Sequence, residues 1–174
     1  MGLLTEDLLE FIASGVDVYV ATRDADLEPE SMMAMGIRAH VDRDVITVYL
    51  PEPARQANLD NIAANGEVAV TLVRPSDLRG MQLKGAALGV RPSNETDREF
   101  QRIFRSALIE QFETVGIPRS TTRRLIWWPT LALDVAVRDV FGQTPGPRAG
   151  ERLVPGVESS SGPRAGAARS PTGE

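Results

Sequence analysis

The residue types that most often do chemistry in enzymes are scarce in this chain, which has one histidine, His40, and no cysteine. The missing cysteine excludes disulfides, thiolate nucleophiles and cysteine-ligated metals, and one histidine cannot build a histidine-rich metal site. We interpret His40, which precedes an acidic turn, as a strand-end residue rather than a proton carrier. No motif suggests a serine–histidine pair or a glycine-rich phosphate loop. If the protein is an enzyme, we expect a bound cofactor to carry the chemistry.

Two polar side chains, Gln82 and Lys84, alternate with apolar ones in the segment Met81–Gly85. Alternate residues of a strand share a face, so both side chains point the same way. Gln82 needs a hydrogen-bond partner if it is buried, and the compact cation of Lys84, the single lysine, suits a phosphate or a ring oxygen. The alternative for Lys84 is a barrel-rim lysine in a surface ion pair.

The elements that must position these residues are mostly strands. Period-two alternation of apolar residues predicts six of them, near residues 16–22, 31–41, 45–50, 67–73, 81–90 and 131–137. Helices are predicted after Thr5, over 54–65 and over 95–115. Mostly short connections favour antiparallel pairing. We therefore predict an α+β, mainly β fold, a six-stranded antiparallel split β-barrel with a long helix packed on it.

The third helix has the clearest helical pattern in the chain. Phe100, Phe104 and Phe112 recur at helical spacing and predict a stripe that packs on the core. Thr96 and Glu99 have the spacing of a capping box at its start.

Composition sets limits on partners and location. The net charge is −5, so we expect no nucleic-acid partner. No apolar run reaches the roughly 20 residues needed to span a bilayer, and the amino terminus is not a signal peptide, so we expect a cytoplasmic protein without a membrane partner. We expect residues 1–153 to form one domain, and the segment 154–174, rich in Gly, Pro and Ser, to be a disordered tail.

Four segments follow one another in an order typical of a known family: Asn58–Ile62 on a helix, Asn65-Gly66, the strand Glu67–Val73 and Gln82–Gly85. In this order the chain resembles the pyridoxamine-5′-phosphate-oxidase-like family. The stretch Val140–Pro147 is similar to a signature of one uncharacterised branch. The resemblance covers about residues 5–153. The Arg-His pair that binds substrate in the true oxidase has no counterpart here, so oxidation of pyridoxamine phosphate is not expected.

The resemblance implies an FMN-binding split-barrel homodimer with two FMN molecules at the subunit interface. By this resemblance Gln82 contacts the flavin ring, with Lys84 two positions along on the same face. Arg38 and Arg55 are candidate ligands of the flavin phosphate, and Trp127 or Trp128 could stack on the ring. The function implied is that of an oxidoreductase acting on a small molecule, with no side chain evident as its acid or base.

Two alternatives are also compatible with the sequence. One is a non-catalytic split-barrel module that binds flavin, haem or another planar ligand, and the other is a barrel without a cofactor. Both are favoured by the loop Pro51–Gln56, because flavin-binding members of the family usually have a hydroxyl followed by Arg and Lys there.

Overall fold

The computed structural model describes residues 2–52, 56–124 and 127–154. These residues form four α-helices: α1 (Glu6–Ala13), α2 (Gln56–Asn65), α3 (Glu95–Thr114) and α4 (Arg119–Thr122). They also form eight strands: β1 (Asp17–Arg23), β2 (Pro29–Ala34), β3 (Ile37–His40), β4 (Val45–Pro51), β5 (Glu67–Val73), β6 (Gly80–Pro92), β7 (Thr130–Gly142) and β8 (Arg152–Val154). A 3₁₀ turn, Val41–Arg43, joins β3 to β4. The disordered tail was predicted over 154–174; Val154 belongs to β8, and residues 155–174 lie outside the described residues.

All eight strands belong to one antiparallel sheet, which confirms the α+β class and the antiparallel pairing. The strand order is β2-β1-β5-β6-β7-β4-β3, and β8 pairs with β7. The first and last strands of this path, β2 and β3, are consecutive in the chain. The chain itself therefore links the two ends of the sheet, through Met35 and Gly36.

The predicted number of six strands is wrong for a local reason at Gly36. The predicted strand over 31–41 is divided there into β2, which pairs with β1, and β3, which pairs with β4. Gly36 has a φ of 151°, a conformation that residues with a side chain rarely adopt. A Cβ on Gly36 would also lie 3.2 Å from the ring of Phe104. The eighth strand, β8, was not predicted because its segment is rich in Gly and Pro.

The hydrophobic core lies inside the curved sheet, where apolar side chains from alternate strand positions meet. The inward set from three strands shows the alternation: Val18 and Val20 of β1, Val68, Val70 and Leu72 of β5, and Leu133, Val135 and Val137 of β7. All of these are buried. The residues between them face outward, so the alternation in the sequence assigned inside and outside correctly in these strands.

The long helix was predicted to within one residue and its core-facing stripe was predicted in part, but its cap was not. Asn94 is the N-cap and forms a capping box with Asp97, instead of the predicted pair Thr96 and Glu99. Phe104 is buried, as predicted. Phe112, however, is only partly buried, and Val115 is 45% exposed. The carboxyl-terminal part of α3 therefore extends past the core.

Candidate functional site

The side chains of Gln82 and Lys84 lie together on the outer face of the sheet, as predicted. Their neighbours Met81 and Leu83 are buried in the core, which turns the two polar residues outward. The strand registers place Gln82 in a row that crosses five strands: Met33, Tyr19, Thr71, Gln82 and Phe141. We call this set the outer row. Tyr19 is 42% exposed, so the row is open to solvent at that residue.

The side-chain amide nitrogen of Gln82 already has a hydrogen-bond partner. Its Nε2 donates a hydrogen bond to Oγ1 of Thr71 at 3.0 Å. No donor to its Oε1 occurs among the described residues, and the side chain is half-buried. An acceptor oxygen is therefore directed to the outer face, where an N–H of a bound ring could reach it.

Lys84 is exposed and has no ion-pair partner in the described part of the chain. Its Nζ lies 5.0 Å from the centre of the Phe141 ring, a cation–π contact. Asp139 is opposite Lys84 in the register but is paired with Arg152 of β8. The predicted alternative, a lysine in a surface ion pair, does not occur among the described residues.

The backbone beside Lys84 is irregular. The register between β6 and β7 shifts between Lys84 and Gly85. A Cβ on Gly85 would overlap the carbonyl oxygen of Ala136. Because Gly85 has no side chain, the two strands can approach closely at this bulge.

Arg38 lies on the outer face of β3, beneath α3. Its guanidinium carbon is 5.4 Å from the centre of the Phe100 ring. Beside it, the hydroxyl of Tyr49 donates to Asp97 Oδ1 at 3.1 Å. Burial and the neighbouring Asp97 raise the pKa of Tyr49 well above its ordinary value, against the opposing effect of Arg38.

Asp97 is 3% exposed and connects α3 to two other elements. Arg91 of β6 binds it with two hydrogen bonds, of 2.6 and 3.2 Å. Burial alone would raise the pKa of Asp97, but hydrogen bonds from Arg91, from the backbone of Asn94 and from Tyr49 outweigh it, so the pKa is lowered. The cluster holds α3 against the sheet above Arg38.

A hydrogen-bonded chain of three side chains, His40–Thr47–Asp134, was not predicted. Thr47 Oγ1 donates to Asp134 Oδ1 at 2.6 Å, and His40 Nε2 lies 2.8 Å from the same Oγ1. The registers place Arg38 opposite Thr47, Thr47 opposite Asp134, and Asp134 opposite Gly89. In the sequence, Thr47 stands out as a polar residue inside an apolar strand, and Asp134 as a charged residue between Leu133 and Val135. No motif connects the two positions, so their contact could not be predicted.

Trp127 and Trp128 lie against α3. The guanidinium carbon of Arg105 is 5.7 Å from the centre of the Trp127 ring, and that of Arg98 is 5.5 Å from the Trp128 ring. Trp127 also lines a cavity of about 310 Å³ with Arg98 and Arg102. The remaining candidate, Arg55, lies outside the described residues.

Within one chain the candidate residues form two separate groups. Gln82 and Lys84 belong to the outer row and the row beside it. The row of Arg38 crosses β6 at Gly89, seven residues from Gln82. At roughly 3.3 Å per residue, the two rows are on the order of 20 Å apart when measured along β6. Gln82 and Arg38 therefore belong to different rows of the sheet.

Two kinds of feature are absent from the described residues. No group of three or more His, Asp or Glu side chains could hold a metal ion there. Within the same ranges, no helix is long and apolar enough to cross a membrane.

Comparison with known proteins identifies the fold. No protein-family model matches the chain, and no curated protein matches it either. The crystal structure of HupZ from Group A Streptococcus matches with a TM-score of 0.53 and 18% identity, over 85% of this chain and 100% of that one. A pyridoxamine 5′-phosphate oxidase candidate from Lactobacillus delbrueckii matches with a TM-score of 0.50 and 14% identity, over 79% of this chain and 93% of that one. The chain has the fold of the pyridoxamine-5′-phosphate-oxidase-like proteins.

The pyridoxamine-oxidase-like fold was the one that the sequence resemblance implied, so that prediction is confirmed. At these identities the fold is all that the likeness establishes.

Proposed function

We propose that the protein is a homodimeric FMN-binding flavoprotein that acts as an oxidoreductase on a small molecule. The observation that carries the proposal is the separation of Gln82 and Lys84 from Arg38 along the sheet of one chain. A second copy, packed on the outer face, would supply one group while the first copy supplies the other. The pyridoxamine-oxidase-like fold supports this arrangement.

The outer row provides a surface for the second copy. Its members are mostly apolar or neutral, since Met33, Tyr19 and Phe141 flank Thr71 and Gln82. Large exposed aromatic side chains are enriched where proteins associate. In the next row Ala21 and Ala69 are small, which would let a partner approach the backbone closely.

The residues present fit a flavin nucleotide. Gln82 has an acceptor oxygen free for a ring N–H, and Lys84 has an ammonium without an acidic partner among the described residues. Arg38 likewise has no ion pair in the described ranges, so it is available to a phosphate. Bound FMN would supply hydride transfer; the chain would bind and orient it and stabilise negative charge on its ring.

The visible absorption spectrum of purified protein tests the proposal, first as isolated and then after dialysis with FMN. We expect flavin bands that remain with the protein through gel filtration. Riboflavin, which lacks the phosphate, should bind more weakly. A Soret band would replace the proposal with the haem-binding alternative. A colourless protein that does not take up FMN would overturn it.

A further inference from the structure

A cavity of about 650 Å³ lies beside the outer row, between β1, the turn that follows β5 and the carboxyl-terminal part of α3. The apolar side chains that line it are Val73, Pro75, Leu78, Phe112 and Val115. Its polar lining residues are Asp17, Tyr19 and Ser76, and we call it the Asp17 cavity. Cavities of roughly 300–1,000 Å³ accommodate small organic ligands, so the volume suits such a molecule.

The apolar side chains at this cavity are held in exposed positions by the fold. Leu78 is 57% exposed, and its φ of 58° is a conformation that a leucine rarely adopts. Its turn is fixed, because Arg74 binds the carboxylate of Asp77 with hydrogen bonds of 2.6 and 3.0 Å. The N–H of Leu78 also donates to the carbonyl of Arg74 at 3.0 Å. The turn therefore keeps Leu78 at the cavity and out of the core.

The charge at the cavity is that of Asp17, which lies on the outer face of β1 between the buried residues Val16 and Val18. Its Oδ2 accepts a hydrogen bond of 2.8 Å from the hydroxyl of Tyr19. Its Oδ1 is buried and has no hydrogen-bond partner among the described residues. Buried polar atoms nearly always have a partner, so the carboxylate has capacity for a donor that comes from a ligand.

Within the described ranges the chain supplies no cation to Asp17. The arginine next to it in the strand register is Arg74, which follows Val73, the partner of Asp17 on β5. The guanidinium of Arg74 is paired with Asp77 and lies 5.6 Å from the centre of the Phe11 ring. That cation is therefore directed toward α1 and not into the cavity.

Burial makes the charge of Asp17 costly. It raises the pKa of the carboxyl by more than the hydrogen bonds from Tyr19 and from the backbone of Val18 lower it. Burial and the neighbouring Asp17 also raise the pKa of Tyr19 to about 12, so the phenol stays protonated and remains a donor. A cation against Asp17 would lower the pKa of the carboxyl and offset the cost of burying its charge.

We propose that the Asp17 cavity binds a small molecule that has an apolar body and a protonated amine. The ammonium donates to the carboxylate of Asp17, while Tyr19 keeps its own bond to Oδ2. The apolar body packs against Leu78, Phe112 and Val115. An anionic molecule would meet the charge of Asp17 without a compensating cation from the lining residues, so the cavity selects against carboxylates and phosphates.

The Asp17 cavity is distinct from the candidate flavin site. None of Gln82, Lys84 and Arg38 lines it, and Tyr19 is the one residue that it shares with the outer row. The inference therefore does not rest on the proposed function. A second copy that filled the cavity would bury the charge of Asp17 in the contact, which is unfavourable unless that copy also brought a cation.

Two probes that differ in one polar group test the proposal on the full-length chain. The compound 2-(2-naphthyl)ethylamine is a cation at pH 7, and 2-(2-naphthyl)ethanol is its neutral counterpart. Isothermal titration calorimetry measures both dissociation constants. We expect the amine to bind more tightly by roughly tenfold or more, the gain from one charge-assisted hydrogen bond. Equal constants, or no binding of the amine, would overturn the proposal.

Asp17→Asn should raise the dissociation constant of the amine to that of the alcohol and leave the alcohol unchanged. Asparagine keeps the shape of the side chain and can still accept from Tyr19, so the variant should remain folded. Asp26→Asn, which removes an equal charge from an exposed turn, should preserve the preference for the amine. A preference that persists in Asp17→Asn would place the amine elsewhere on the protein and contradict the site.

A second pair of variants tests the apolar part of the site. Leu78→Ala should weaken both probes several-fold, because both lose the same apolar contact. Ile103→Ala truncates a side chain on α3 that is equally exposed, at 59%, but does not line the cavity, and it should weaken neither probe. Equal losses in the two variants would mean that the probes adsorb to exposed apolar surface in general, and would overturn the proposal.

Sedimentation velocity separates a ligand site from a contact between copies. We expect Asp17→Asn to have the same association state as the wild type. If neither probe binds and Asp17→Asn changes the association state, a second copy fills the cavity and the small-molecule proposal is wrong.

Discussion

Gly85 of β6 faces the carbonyl oxygen of Ala136 of β7 with no room for a side chain. The contact lies at the register shift next to Lys84. Any Cβ at position 85 would force the two longest strands apart. The close approach of β6 and β7 beside Lys84 thus depends on the absence of a side chain at position 85.

Gly85→Ala should therefore destabilise the fold. Overpacking of this kind costs about 1–3 kcal/mol, and contact with backbone puts the cost at the upper end. Gly89→Ala on the same strand is the matched control, because a Cβ there has no atom within 4 Å. Urea unfolding of the two variants checks the difference, and equal midpoints would contradict the close contact.

The two neighbours Phe104 and Ile103 on α3 should respond differently to truncation. Phe104 is 8% exposed and packs against the backbone at Gly36, so Phe104→Ala should cost about 3–5 kcal/mol of unfolding free energy. Ile103 is 59% exposed, and Ile103→Ala should change stability by less than about 0.5 kcal/mol. Similar losses in both variants would mean that α3 is rotated relative to the sheet.

The sequence predicted those parts of the molecule that depend on local pattern. Alternation in β1, β5 and β7 identified the strands and their inner faces, because each strand buries one face. Thr96 and Glu99 had capping-box spacing, yet the helix begins after Asn94. The reason is that Asp97 is bound by Arg91 and Tyr49. These are contacts between distant segments, which no local sequence pattern reveals. The division at Gly36 was missed because both halves read as one extended run.

Only the part of the candidate site that lies on a single strand, β6, could be predicted from the sequence. Gln82 and Lys84 share a face by alternation alone. The chain His40–Thr47–Asp134 joins residues that are 7 and 87 positions apart. It could not be inferred without the pairing of β4 with β3 and β7. From the sequence alone, His40 is therefore predicted only as a strand-end residue.

Lys84→Ala should weaken FMN binding. Losing a charge-assisted contact costs about 1.5–3 kcal/mol, which corresponds to roughly a 10- to 150-fold higher dissociation constant. Arg119→Ala, which removes from α4 a cation paired with Glu113, should leave the constant unchanged. Fluorescence titration of FMN measures both. An unchanged constant in Lys84→Ala would remove Lys84 from the site.

Asp97 should make stability depend on pH in the acid range. Its folded-state pKa is lowered, so its contribution is fully present above the unfolded value of about 3.9 and is lost as the pH falls through the folded pKa. Asp97→Asn should lose about 1–3 kcal/mol at pH 7, and the deficit should shrink below about pH 4. Asp26→Asn, on an exposed turn, should follow the wild type in denaturation measured from pH 7 to 3.

Thr71→Arg should separate the two subunits of the proposed dimer. Thr71 is the middle member of the outer row, between Tyr19 and Gln82, and it is only partly buried. A long cation there can reach solvent in a monomer, but it would be forced into the contact between two copies. Because the flavin site needs residues from both copies, dimer and FMN should be lost together.

Sedimentation velocity and FMN titration on the same samples measure the two losses. Ile103→Arg, an equally large change on an exposed position of α3, should remain a dimer that binds FMN. A Thr71→Arg protein that stays dimeric and keeps its flavin would place the interface elsewhere. A Thr71→Arg monomer that still binds FMN at the wild-type affinity would be more informative, because it would mean that one chain holds the whole site despite the separation of Arg38 from Gln82.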